Sequence, residues 1–376
     1  MSNQQSNHNH APYGDLALIS LAGCEEVASQ VDYYLLNWRE DEGEESYVVK
    51  ANCPRFGTGE AKGVLNHTAR GLDVYILVDC FNYSVRYKMY GESVPMSPDD
   101  HYQDLKRVIS ALQGKARRIT VIMPMLYEGR QHRRTTRESL DCAMAMQELV
   151  SMGVKNIITF DAHDPRIQNA IPLDGFDNVQ ATYQMIKALL KTVPDIVFDG
   201  DHTMIVSPDE GGMGRCIYYS SVLGLPLGMF YKRRNYSVVV NGRNPIEAHE
   251  FLGDDVKGKD LILVDDMISS GDSMLDIAAK LKEKGAKRIF VFSTFGLFVE
   301  GFKKFDEYHA KGLIDKVFTT NLIYNPPELL AREWYCNVNM SKYIAYLIDT
   351  LNHDNSISEL LNPINRIKKI REKYGK

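Results

Sequence analysis

The chain has 376 residues, 44% of them hydrophobic and 25% charged, which is enough for two domains of ordinary size. A net charge of −5 argues against bulk nucleic-acid binding, and no run of eighteen apolar residues offers a membrane span. Six cysteines, at 24, 53, 80, 142, 216 and 336, form no Cys-x-x-Cys pair, so no zinc or redox motif is expected and a reducing cytoplasm is the expected compartment.

Residues 1–13 read as a disordered polar tail without an apolar signal core. A short apolar segment at 16–21 and a helix at 25–38 follow, then an acidic loop at 40–46. The stretch 53–60 carries Gly57 and Gly59 and reads as a turn, with Phe56 beside it. An aromatic there can stack on a base, although an isolated Phe is more often core. A strand over 74–78 ends at Asp79. Residues 82–100 are rich in Tyr, Ser and Pro and read as one long loop. A helix at 104–112 and a strand at 119–124 come next.

Arg130, Arg133, Arg134 and Arg137 then fall within eight residues. Thr135 and Glu138 are spaced as a capping box, which predicts a helix starting there and ending at Gly153. Arginines at a helix start oppose its dipole unless an anion is present, so the cluster suits a polyphosphate. A strand over 156–160 leads into Asp161-Ala162-His163. Residues 189–199 read as a hinge between a first domain at 14–190 and a second at 191–352, with a tail at 353–376.

The second half repeats the alternation. A strand over 204–206 ends in Ser207-Pro208-Asp209, and a strand over 227–230 leads into Lys232-Arg233-Arg234. A basic turn is the usual fate of such a run. Residues 235–256 read as a loop. The apolar run Leu261 to Val264 predicts a buried parallel strand, with Asp265 and Asp266 at its carboxyl end. Ser269-Ser270-Gly271-Asp272-Ser273 follows, then a helix with Met274, Ile277, Ala278 and Leu281 on one face. Unpaired N–H groups at such a helix start suit a phosphate, and two carboxylates at the strand end suit a sugar diol or a metal ion. The bland reading makes Ser273 a helix cap and the acidic pair a solvated strand end. Strands over 288–293 and 316–320, helices near 300–311 and 340–351, and a turn at Pro326-Pro327 complete the pattern. The alternation predicts α/β architecture with parallel sheets.

The 265–273 stretch resembles the phosphoribosyl-diphosphate (PRPP) loop of type I phosphoribosyltransferases and ribose-phosphate diphosphokinases. Arg130-Gln131 and the Lys232-Arg233-Arg234 triplet favour the second family, the PRPP synthetases. That resemblance implies two similar phosphoribosyltransferase-like domains, each with a mostly parallel sheet flanked by helices. It also implies transfer of the diphosphoryl group of ATP to ribose 5-phosphate, with Mg²⁺ as cofactor and a homo-oligomer. By resemblance, Phe56, Thr58, Gly59, Glu60, Arg130 and Gln131 bind ATP. His163 and Asp209 hold the metal, and Lys232 and Arg234 are catalytic. Arg234, Asp265, Asp266, Ser269, Ser270, Gly271, Asp272 and Ser273 bind ribose 5-phosphate. The chain departs from the family pattern at Thr58, His132, Glu210 and Ser269. A PRPP-consuming transferase and a non-catalytic regulatory relative are the alternative readings.

Overall fold

The computed structural model describes residues 10–39, 45–234 and 246–375, with side chains described outside 232–249. The expected tail at 1–9, most of the acidic loop and residues 235–245 lie outside the described residues. The chain forms two compact units.

The first unit runs to Ala181 and takes in Asn321–Tyr324 and Asn339–Asn362. Its elements are β1 (Asp15–Ser20), α1 (Glu25–Trp38), β2 (Ala51–Asn52), β3 (Val64–Leu65), β4 (Leu72–Leu77), β5 (Arg86–Met89) and β6 (Glu92–Pro95). Then come α2 (Pro98–Ala111), β7 (Arg118–Ile122), α3 (Asp141–Ser151), β8 (Asn156–Phe160) and β9 (Gly175–Val179). The sheet order is β1-β4-β7-β8-β9, all parallel. Val74, Ile76, Val121 and Ile157 from its strands form the core with Leu105 and Val108 of α2 and Met146 and Leu149 of α3.

The expected long loop at 82–100 is not one. It is a β5–β6 hairpin followed directly by α2, which starts at Pro98 behind a complete Ser97–Asp100 capping box. Conversely, Thr135 and Glu138 bond to each other, but no helix forms until Asp141. Residues 132–139 offer no buried apolar side chain to dock a helical turn, and the first one that packs is Cys142.

The second unit holds α4 (Thr182–Thr192), β10 (Thr203–Ser207), α5 (Met213–Leu223), β11 (Leu227–Arg234), β12 (Ile246–Leu252) and β13 (Asp260–Ile268). It continues through α6 (Asp272–Glu283), β14 (Arg288–Gly296), α7 (Lys303–Ala310), β15 (Lys316–Thr320), α8 (Pro327–Leu330) and β16 (Tyr335–Val338). The sheet order is β12-β11-β10-β13-β14-β15-β16, parallel except at the β11–β12 edge. Leu261, Leu263, Ile289 and Val291 pack against Ile277 and Leu281 of α6 and against Phe305 and Trp334.

The expected domain boundaries shift at both ends. Helix α4 belongs to the second unit, and α9 (Ser341–Asn352) with the short α10 (Ser358–Leu361) belongs to the first. The reason is packing. Trp38 of α1 stacks on Tyr346 of α9 at 4.3 Å, and Arg39 pairs with Asp349 at 2.8 Å with both side chains nearly fully buried. Asn352 donates to the buried Asp73 at 2.8 Å. The expected tail instead ends in α11 (Ile364–Lys373), which buries Ile367 and Ile370 in the second unit. Its Arg371 donates to the carbonyl oxygens of Leu223 and Phe198.

Candidate active site

In the second unit the acidic pair sits deeper than the sequence suggests. Strand β13 does not stop at Val264 but continues to Ile268, with Asp265 opposite Ser293 and Ile268 opposite Gly296 of β14. Its pairing with β10 ends at Leu263. The two carboxylates therefore lie on a strand that has outrun its neighbour on one side. Asp266 is buried and Asp265 is partly exposed. Burial and the adjacent Asp266 carboxylate push the Asp265 carboxyl well above the usual range, and Arg215 opposes the shift. Arg215 Nη1 lies 3.8 Å from an oxygen of each carboxylate.

The chain then reverses through residues 269–271. Gly271 caps α6 with φ 88°, a left-handed conformation, and a Cβ there would lie 2.3 Å from Cζ of the buried Phe305. Only glycine fits. Since Gly271 is the cap, Ser273 is not, and its hydroxyl lies inside the first turn of α6. The N–H of Asp272 reaches Ser270 Oγ at 3.4 Å, a weak bond. A glycine cap supplies no side-chain oxygen, so the first N–H groups of α6 remain available to an anion. The carboxylate of Asp272 is tied to Lys304, which lowers its pKa.

Asp209 follows β10 and accepts a hydrogen bond from the N–H of Gly212 at 3.1 Å, while Ser207 Oγ donates to its carbonyl at 2.7 Å. This folds the loop so that α5 starts beside β13. A strand was expected over 227–230, ending before Lys232, Arg233 and Arg234, with a basic turn as the bland reading of the triplet. The three residues are instead part of β11, opposite His249, Ala248 and Ile246 of β12, with a register shift between Arg233 and Arg234.

In the first unit, Arg130-Gln131 and His163 lie beyond the carboxyl ends of the neighbouring strands β7 and β8. They are joined by the residue after Gln131. The His132 ring meets that of His163 edge-on at 5.4 Å, and its Nε2 lies 3.3 Å from Asp164. Asp161 turns the chain here with φ 44°, an uncommon conformation for a non-glycine residue. Asp164 also receives a bidentate bond from Arg166, the main cause holding its carboxyl down at about 2. Gln131 Nε2 donates to the Ser139 carbonyl at 2.9 Å, and Arg130 is exposed. The loop 56–60 is a separate tight turn. The N–H of Phe56 donates to the Glu60 carbonyl at 2.7 Å, and Thr58 Oγ1 donates to the Glu60 carboxylate at 2.9 Å. His163 and Asp209 belong to different units.

Two family models match the chain: the N-terminal domain of ribose phosphate pyrophosphokinase over residues 16–153, and the phosphoribosyl transferase domain over 174–329. A curated ribose-phosphate pyrophosphokinase of Vibrio parahaemolyticus is 28% identical over 317 residues, covering 83% of this chain and 91% of that protein. One from Pasteurella multocida is 29% identical over 314 residues, covering 82% and 90%. The phosphoribosylpyrophosphate synthetase structure from Mycobacterium smegmatis shares the fold. Its TM-score is 0.73 at 22% identity, over 91% of this chain and all of that one. The chain belongs to the ribose-phosphate pyrophosphokinase family.

For this pyrophosphokinase, sequence reasoning missed two charged residues. Arg215 stands in the first turn of α5, where a cation opposes the helix dipole. That cost, applied above to residues 130–137, was the signal that could have found it. Arg55 pairs with Asp104 at 2.8 Å with both side chains buried, and no spacing rule links residues so far apart in sequence.

Proposed function

We propose that the chain makes PRPP by moving the β,γ-diphosphoryl unit of ATP to the C1 hydroxyl of ribose 5-phosphate, releasing AMP. The observation that carries the reading is the β13–α6 junction: two carboxylates, each 3.8 Å from Arg215, on the strand just before a glycine-capped helix start. A diol binds at Asp265 and Asp266, and the 5-phosphate binds at the N–H and hydroxyl groups of residues 269–273. Asp272 then acts through its backbone, since its carboxylate would repel the phosphate and is turned to Lys304.

No covalent enzyme intermediate is needed. The sugar hydroxyl attacks the β-phosphorus in line, so the protein supplies position and positive charge. Lys232 and Arg234 on β11 stabilise the transferring group, and Arg130 and Gln131 hold the triphosphate. Phe56, Thr58, Gly59 and Glu60 meet the base. Among the described residues, no three His, Cys, Asp or Glu side chains converge on one point. The carboxylate of Asp209 and the imidazole of His163 would suit a divalent cation such as Mg²⁺. His163 in the first unit and Asp209 in the second are each a proposed metal contact, and a bound metal would neutralise charge on the triphosphate. The protein acts in the cytoplasm as a homo-oligomer. Its six cysteines are all free thiols, and no helix among the described residues is long and apolar enough to cross a membrane.

Phosphorus NMR of the protein with Mg²⁺, ATP and ribose 5-phosphate tests the reaction. AMP and PRPP in equal amounts are expected. Diphosphate released from PRPP only when a base is added would move the assignment to a phosphoribosyltransferase. No turnover with ATP, GTP or CTP by a protein that still binds ribose 5-phosphate would make it a regulatory relative.

A further inference from the structure

The β5–β6 hairpin is joined to the 56–60 loop at three points. The backbone N–H of Tyr90, at the hairpin tip, donates to the Gly57 carbonyl at 2.8 Å. Gly59, with φ 95°, backs onto the hairpin so closely that a Cβ would lie 3.0 Å from Met89 Sδ and 3.5 Å from the Tyr87 ring. Arg55, the residue before Phe56, lays its guanidinium over the Tyr87 ring at 4.7 Å and is held there by Asp104 of α2. The Tyr87 hydroxyl in turn reaches Asp100 at the start of α2. The loop at 54–62 is itself a narrow hairpin, bridged between Arg55 and Ala61. Two hairpins thus lean on one another and on the capped end of α2.

The tip carries a feature that stability does not explain. Tyr90 adopts φ 49° and Gly91 φ 87°, as a two-residue type I′ turn demands. Asn or Gly suits the first of these positions, whereas a bulky side chain is strained there. Tyr90 nonetheless leaves 81% of its surface exposed, while Phe56, one residue before its hydrogen-bond partner Gly57, is 56% exposed. An aromatic held at a cost in backbone strain and presented to solvent fits a ligand with a flat face.

We infer that the β5–β6 hairpin is a nucleotide-specificity element, with Tyr90 offering an aromatic face to the purine of the donor triphosphate and Met89 and Tyr87 fixing the loop that carries Phe56. The inference rests on the reading of 56–60 as the base loop. It gives a task to residues 82–95, which the acidic pair and the phosphate loop leave unused.

The test compares Tyr90→Asn, which keeps the turn and removes the ring, with Phe56→Ala. KM and kcat are measured for ATP, GTP and CTP at saturating ribose 5-phosphate. Equilibrium dialysis of ATP gives the same comparison without turnover, and circular dichroism monitors the fold. Loss of one base–aromatic stack is expected to raise the ATP KM by about tenfold with little change in kcat, and to narrow the preference for ATP over CTP. An ATP KM unchanged in Tyr90→Asn but raised in Phe56→Ala overturns the hairpin's role and leaves the base loop standing. If neither variant changes it, the hairpin inference falls together with the assignment of residues 56–60 to the base.

Discussion

In the second unit the chain passes from β13 to α6 through residues 269–271 alone, whereas in the first it passes from β7 to α3 through residues 123–140. Both connections leave the carboxyl end of a parallel strand, where ligands of α/β sheets gather. The short one takes its shape from the backbone, with a glycine cap, free N–H groups and two carboxylates on the strand before it. The long one takes its shape from side chains: Gln131 on Ser139, His132 on Asp164 and His163, and Tyr127 on Asp99. Under the proposed function, the three-residue connection takes the sugar phosphate, whose shape is always the same, and the mutually braced loops take the long, flexible triphosphate. The departures at Thr58 and His132 fall on this unit, together with the hairpin.

The largest expected effect tests whether the basic strand belongs with the short junction. Lys232→Ala is expected to lower turnover by about two to three orders of magnitude, the scale for losing one transition-state donor, with an unchanged melting temperature. Steady-state kcat and a thermal melt check it, and full turnover would remove Lys232 from the chemistry.

Gly271→Ala attacks the junction's backbone. A Cβ 2.3 Å from Phe305 and a positive φ are together expected to cost about 1–3 kcal/mol of stability and to abolish detectable ribose 5-phosphate binding. Denaturant melts and calorimetry read the two losses. A stable variant with normal affinity would mean that the 5-phosphate sits elsewhere.

Asp265→Asn keeps the size of the side chain and removes half of the acidic pair. It is expected to weaken ribose 5-phosphate binding about tenfold, as for a charge-assisted hydrogen bond lost to the sugar. It is also expected to flatten the pH dependence of that binding, because burial and Asp266 raise the Asp265 pKa. Unchanged affinity by calorimetry counts against the diol assignment.

The smallest effect concerns how the first unit is closed. Asp79, at the end of β4, accepts backbone hydrogen bonds from Phe81 at 2.9 Å and Tyr324 at 2.7 Å. Burial nevertheless pushes its pKa from 3.8 up to about 7. The folded carboxyl therefore titrates above the unfolded one. Its contribution to stability is fully present below pH about 4 and is lost as the pH rises to about 7. Asp79→Asn is expected to remove that slope from a series of denaturant melts between pH 4 and 8. A slope that survives would place its origin in another group.

Much of the architecture was legible before any coordinates. The strands at 156–160 and 316–320 match the expected bounds, because β-branched and aromatic residues such as Ile157, Ile158, Val317 and Phe318 fill the buried middle of each. The ends of β11 and β13 were not legible. Charged residues continue both strands, since pairing to a neighbour, not hydropathy, decides where a strand stops. The capping-box pattern picked the wrong helix start, at Thr135, and the real box at Ser97 lay inside a stretch read as loop. A capping spacing identifies a start only when an apolar face follows to be buried.

The sequence by itself determined the α/β alternation, the parallel sheets and the strand-to-helix turn at 269–271, because each is a local matter of periodicity, backbone freedom and helix-end chemistry, whereas the β5–β6 hairpin and β12 lay in stretches read as loop. It also carried the motif order that places the chain among the pyrophosphokinases. The tertiary structure alone decided that α9 returns to the first unit, that Arg215 answers the acidic pair, and that the hairpin props the 56–60 loop. These pairings join residues from 33 to more than 300 positions apart, and no periodicity encodes a contact across such a span. Their energy comes from burial and charge compensation that exist only once the chain has closed on itself.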